Sequence, residues 1–138
     1  MTRIELKIPI VPISWSGRGQ TKTGRRFLLP RLRDYQAAIR EHWQRTYPDH
    51  VPFSGPVCMD ILFVFPRPKS RIWKKKPMPR EPHISRPDRT NLIKAVEDAL
   101  NGVAWRDDSQ VFSGNARKHI AAGDEQPGIH IVITELDP

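Results

Sequence analysis

The chain has a single cysteine, Cys58, so no internal disulfide can form. That excludes the bridge frameworks of small secreted domains and points to a reducing compartment. Cys58 stands in an apolar run, which predicts a buried structural thiol. Long hydrophobic runs are also missing. No stretch approaches the roughly 20 apolar residues of a membrane helix, and residues 1–8 alternate in polarity where a secretion signal would be apolar. Acidic residues are outnumbered, 15 Asp and Glu against 23 Lys and Arg, leaving a formal charge of +8. A basic surface attracts polyanions, either nucleic acid or anionic membrane. No basic amphipathic helix is present in the sequence pattern, so nucleic acid is the better partner. Hydrophobic residues, at 38%, fall a little below the usual globular share.

What the chain has in plenty is proline and basic charge. Its 138 residues are enough for one domain, residues 1–138, with one core. Its 14 prolines forecast a long irregular segment. That segment is a basic, Pro-rich loop at residues 66–87, where Arg67, Lys69, Arg71, Lys74, Lys75, Lys76, Arg80 and Arg86 face a single acid, Glu81. Prolines at 66, 68, 77, 79, 82 and 87 forbid a helix and most sheet pairing. A loop of this length is either disordered or functional.

Period-two alternation predicts a strand at residues 4–10, and a run rich in apolar residues predicts a second at 57–65. Residues 14–24, with Gly17, Gly19 and Gly24, read as a loop, and 27–29 as a short strand. Tyr35, Ile39 and Trp43, spaced by four, predict a helix over 32–46 that Pro48 ends. After Pro87 the helical pattern is clearest. Leu92, Ile93, Ala95, Val96, Ala99 and Leu100 fall on one side, and Asn91, Lys94, Glu97, Asp98 and Asn101 on the other, with Gly102 as a stop. Residues 111–120 and 128–135 read as a final pair of strands joined across 123–127. The order predicts an α+β fold, with a small mixed or antiparallel sheet packed with two main helices.

The chemistry concentrates in residues 86–111. Asp88 precedes the helix and suits an N-cap, although Thr90 can serve as cap and free it. Asp107 and Asp108 suit a turn, yet two adjacent carboxylates repel unless a cation or solvent compensates. A hard divalent ion takes two or three carboxylates plus water. Lys94 reads either as a surface partner of Asp98 at i+4 or as a cation for a transition-state phosphate. Asn91 and Asp98 share a face about 10 Å apart, too far for both to ligate one ion. His83 reads as solvent-exposed or as a substrate contact. Trp73 either packs on the domain or stacks on an unpaired base. Arg18, Lys22, Arg25 and Arg26 suggest a second basic patch.

Three motifs, Pro87-Asp88-Arg89-Thr90-Asn91-Leu92-Ile93-Lys94, Asp98-Ala99-Leu100 and Asp107-Asp108-Ser109-Gln110-Val111, stand in the order that resembles the RusA family of Holliday junction resolvases, typical of bacteriophages and prophages. The resemblance implies a homodimeric α+β endonuclease that cuts four-way DNA junctions by paired incisions with Mg²⁺, for which Mn²⁺ can substitute. It implies Asp88, Asp108 and Asp107 as metal ligands and Lys94 as the catalytic cation. The basic loop would hold DNA, Thr90, Asn91 and Asp98 would support the site, and the setting would be the cytoplasm of a bacterial or phage-infected cell. Thr90 departs from the family, which often has a second aspartate there. Asp107 or Asp98 takes that role, or metal is held more weakly, or the chain binds branched DNA without cutting it. Flaps and forks remain alternative substrates.

Overall fold

The computed structural model describes residues 1–16, 19–20, 26–27 and 29–137. Strand β1 (Thr2–Ile8) alternates as its sequence predicts, with Leu6 and Ile8 buried and Lys7 exposed. It ends before Ile10 because Pro9 has no N–H to extend the ladder, and Ile10 N donates instead to Ile8 O at 2.9 Å. Two short strands, β2 (Gly19–Gln20) and β3 (Arg26–Phe27), pair with each other, so the expected loop at 14–24 contains a strand. The patch expected at Arg18, Lys22, Arg25 and Arg26 lies outside the described residues, apart from the Arg26 backbone.

Helix α1 (Pro30–Thr46) starts on a proline, whose missing N–H costs nothing in a first turn. It buries Leu32, Tyr35, Gln36, Ile39 and Trp43. Strand β4 (Val57–Phe65) buries Val57, Met59, Ile61, Phe63 and Phe65 on the side facing the helices. Cys58 is half-buried on the opposite side, which corrects the expectation of a buried thiol: even positions of β4 point away from the helices. The basic segment contains a 3₁₀ turn at Lys69–Arg71 and strand β5 (Glu81–Pro82).

Helix α2 (Arg89–Leu100) buries Leu92, Ala95, Val96, Ala99 and Leu100. Past its end Asn101 (φ −60°, ψ 125°) and Gly102 (φ +78°) take the corners of a type II turn, closed by Val103 N donating to Leu100 O at 3.0 Å. Gln36 Nε2 donates to Ala95 O at 3.0 Å and ties α1 to α2. The single strand expected over 111–120 is broken into β6 (Val111–Ser113) and β7 (Ala116–Ile120). The break falls at Gly114, where φ is +144° and a Cβ would lie 1.8 Å from the Met59 carbonyl oxygen. Only glycine fits there. Strand β8 (Gly128–Glu135) closes the chain's regular structure.

The mixed sheet runs β1-β8-β4-β7-β5, with β6 and β7 lying parallel along successive parts of the same edge of β4. Strands β7 and β8 are therefore not neighbours, contrary to the expected final pair. Strand β4, the most apolar, takes the place between them. Cross-strand rows Ile4–Ile133–Met59, Leu6–Ile131–Ile61 and Ile8–Ile129–Phe63 build the face on which the helices pack. Burying each such side chain is worth about 1.5–3 kcal/mol. The parallel step from β4 to β6 and β7 requires a crossover, and α2 is that crossover. The crossover lays α2 beside β7 and sets the candidate residues along it and at its two ends.

Candidate active site and nucleic-acid interface

Asp88 takes the N-cap position of α2 with extended backbone, φ −69° and ψ 144°, but its side chain makes no capping hydrogen bond. The carboxylate is exposed and available. Beside it opens a cavity of about 710 Å³ with apolar walls, among them Ile13, Leu32 and Phe65, and a polar rim of Arg31, Arg86, Asp88 and Asn91. Trp15 N donates to Asn91 O at 2.9 Å, which draws the segment after β1 against α2. Lys94 Nζ then lies 3.8 Å from the centre of the Trp15 ring, a cation–π contact, and among the described residues it is not paired with Asp98.

At the other end of α2 the two adjacent aspartates do different things. Asp107 caps the 3₁₀ turn Asp108–Gln110: Ser109 N donates to its Oδ2 at 3.0 Å, and Asp107 N donates to Gln110 Oε1 at 2.8 Å. The Ser109 bond holds its carboxyl below the usual range. Gln110 Nε2 reaches Phe53 O and Gly55 O at 2.8 and 2.9 Å, fastening the turn to the loop before β4. Asp107 thus caps the turn through Oδ2.

Asp108 is half-buried and turns towards α2, held by Trp105 Nε1 donating to Oδ1 at 2.8 Å. Burial pushes its carboxyl up, the Trp105 bond opposes this, and the charges of Asp98 and Asp107 push it further up. Glu97 is raised by burial first, then by Asp108 and Asp98. Asp108, Glu97 and Asp98 therefore form one group of repelling carboxylates. Asp88 stands at the N-terminal end of α2, about 13 Å along the helix from Glu97 at 1.5 Å per residue. The structure couples Asp108 to Glu97 and Asp98. Among the described residues no three His, Cys, Asp or Glu side chains meet as a metal-holding cluster. Thr90 is exposed in the first turn of α2.

Periodicity puts Glu97 on the polar face without marking it as functional. Its signal was available: it lies seven residues after Thr90, two turns along the same face, and one turn past Lys94. What the periodicity does not contain is the return of Asp108 to that face.

The basic segment divides in two. Arg67 has a side chain only 4% exposed. Its Nε donates to Arg71 O at 2.6 Å, its Nη1 to Pro79 O and Ala121 O at 3.0 and 3.2 Å, and its Nη2 lies 3.6 Å from Glu81. Arg71 grips Glu81 through Nε and Nη2 at 3.1 and 2.8 Å and holds that carboxyl below its usual range. Arg80 pairs with Glu125. These three arginines, expected on DNA, are engaged within the fold, and buried Arg67 cannot reach a phosphate. Lys69, Lys74, Lys75, Lys76 and Arg86 are exposed. Trp73 sits between Arg67 and Lys76, 4.9 and 5.2 Å from the two cations, so it packs on the domain. His83 is not solvent-exposed but stacks on Phe65 at 4.1 Å, and burial followed by the Lys118 charge lowers its pKa.

Compared with known proteins, residues 9–134 match the family model described as Endodeoxyribonuclease RusA. Over 88 residues the chain is 38% identical to the Uncharacterized protein YqaN of Bacillus subtilis (strain 168). That match covers 60% of this chain and 60% of the relative, so the chain spans well under the full length of the curated protein it matches.

Proposed function

The chain belongs to the RusA endodeoxyribonuclease family, and from that premise we propose that it hydrolyses DNA phosphodiesters at branch points, resolving four-way junctions by paired incisions with Mg²⁺ as cofactor. The observation that carries this reading is Asp108, half-buried and directed onto α2 beside Glu97 and Asp98. A group of mutually repelling carboxylates is in the state that a divalent cation relieves. Magnesium is usually held by one or two carboxylates and completes its shell with water and substrate phosphate, so a dedicated three-carboxylate cage is not needed. The donor set fits on that ground. Asp108 would hold the ion, with Glu97 as the second carboxylate in place of the one that Thr90 lacks. The chemistry such an ion supplies when bound is polarisation of the phosphoryl oxygen.

The chain's own residues supply the rest. Lys94 leaves Trp15 for the scissile phosphate at a cost of about 0.5–1 kcal/mol, the worth of an exposed cation–π contact, and offsets charge building on the transition state. Asp88, uncapped and exposed at the start of α2, is a further carboxylate assigned to the reaction. Trp105 keeps Asp108 turned towards the helix. Lys69, Lys74, Lys75, Lys76 and Arg86 bind the phosphates of the junction arms. Two symmetric cuts need two sites related by a two-fold axis, which a homodimer provides.

The deciding experiment incubates the protein with labelled four-way junction, fork and linear duplex, with and without Mg²⁺. Resolution of the junction into nicked duplexes with Mg²⁺ alone supports the reading. Shifted bands without products at any Mg²⁺ concentration would make the chain a branched-DNA-binding protein, the outcome that Thr90 favours. Faster cutting of forks would change the substrate but keep the chemistry.

A further inference from the structure

We infer that Lys118 is a positioning residue of this site: its ammonium holds the backbone on both sides of Arg86 and so sets where Arg86 and Asp88 stand at the start of α2. The inference rests on the reading of Asp88 as part of the active site.

Lys118 lies in β7 at the parity of buried Ala116, on the side of the sheet that the helices cover, while Arg117 and His119 point the other way. A lysine on that side is costly unless its donors are satisfied. Lys118 Nζ donates to Ser85 O at 2.8 Å and to Pro87 O at 2.7 Å, and among the described residues it has no carboxylate partner. Its charge is met by two carbonyl dipoles instead. The same strand ties the segment at two further points. His83 N donates to Lys118 O at 3.0 Å, and Arg89 Nη1 to Ala116 O at 3.2 Å.

The need for such a hold is visible in the segment itself. Pro87 has no N–H, so the chain cannot be fastened there through its own amide. Asp88 makes no capping bond that would fix its side chain from the helix. Backbone carbonyls are what remains, and Lys118 takes the two that flank Arg86. A lysine reaching DNA would present its ammonium to solvent; this one turns it inward onto the loop carrying the exposed Arg86 and Asp88.

The test compares the full chain with Lys118→Met and Lys118→Arg. The readouts are single-turnover cleavage of a four-way junction, junction affinity against salt without Mg²⁺, thermal melting, and amide exchange over residues 83–89. Misplacing a reacting group by about 1 Å costs on the order of a hundredfold in rate. Lys118→Met is therefore expected to cleave about a hundredfold more slowly, with unchanged affinity and salt slope and faster exchange at His83, the amide of this segment that is hydrogen-bonded among the described residues. Lys118→Arg, which keeps charged donors, is expected to recover most of the rate and the protection. A salt slope smaller by about 1 would make Lys118 a phosphate contact and overturn the inference. Unchanged exchange in Lys118→Met, or a lower melting point that Lys118→Arg shares without recovering the rate, would overturn it too. If Lys118→Met does not fold, Lys118→Gln, a neutral donor of shorter reach, carries the same comparison. A wild-type chain that cuts nothing refutes the functional reading; the exchange data still decide the hold on the loop.

Discussion

Replacing Arg67 with methionine separates a cation that builds the fold from the cations that bind DNA. The guanidinium gives three hydrogen bonds to carbonyls, lies against Trp73 and is almost entirely enclosed. Methionine keeps the aliphatic stem and removes every donor. Removing one partner of a buried charged network costs about 3–5 kcal/mol. Arg71 and Pro79 are exposed and their carbonyls can be met by water, so the low end applies, about 3 kcal/mol. With an unfolding entropy of about 2.1 cal/mol/K per residue over 138 residues, the melting temperature falls by about 10 °C. Junction affinity measured against salt concentration provides the second readout. Each lysine that contacts a phosphate contributes about 0.9 to the slope of log K against log salt. Arg67→Met, assayed well below its melting point, leaves that slope at the wild-type value, whereas Lys74, Lys75 and Lys76 all changed to alanine lower it by up to about 2.7 and leave the melting temperature near wild type. If Arg67→Met melts like the wild type and its slope falls by about 1, Arg67 is a phosphate contact and the assignment by burial is wrong.

Glu97→Gln should raise the Mg²⁺ concentration for half-maximal cleavage at least about tenfold while metal-free junction binding is kept or tightened; wild-type metal dependence would remove Glu97 from the site. Asp108→Asn should abolish cleavage, whereas Asp107→Ala should lower the melting temperature and retain cleavage, and equal loss of activity in both would contradict the division of labour between them. Gly114→Ala puts a Cβ 1.8 Å from Met59 O and should cost about 2–5 kcal/mol in urea denaturation; a stability near wild type would refute the close approach. His83 and His119 are both lowered from 6.5, chiefly by burial, so the neutral forms favour the fold. Their contribution is complete above pH 6.5 and is lost as pH falls below it through the depressed folded values. The double change to glutamine should flatten the stability profile below pH 6.5, and an unaltered slope there would show that other groups set it.

The elements that were legible in the sequence are those whose pattern is local. The spacing of Tyr35, Ile39 and Trp43 suffices for α1, the run Leu92 to Leu100 with Gly102 beyond it for α2, period-two alternation for β1, and the apolar run at 57–65 for β4. The break in residues 111–120 was not legible, because Gly114 is demanded by a carbonyl of β4 more than 50 residues away in sequence. The place of β4 between β7 and β8 likewise depends on which strand buries most, a competition among distant segments.

Sequence alone determined the chemistry available: a basic chain, a carboxylate before a helix, a lysine along it and an aspartate pair beyond it, in an order that resembles one nuclease family. Tertiary structure alone decided how those groups are used. The turn after α2 carries Asp108 back to Glu97 and Asp98 and leaves Asp107 as a cap. Folding encloses Arg67 and leaves Lys74, Lys75 and Lys76 outside. It also sets Lys118 beneath the loop that presents Asp88. The physical reason is that periodicity records which face a residue occupies along its own element, while burial and charge coupling depend on which other element arrives at that face.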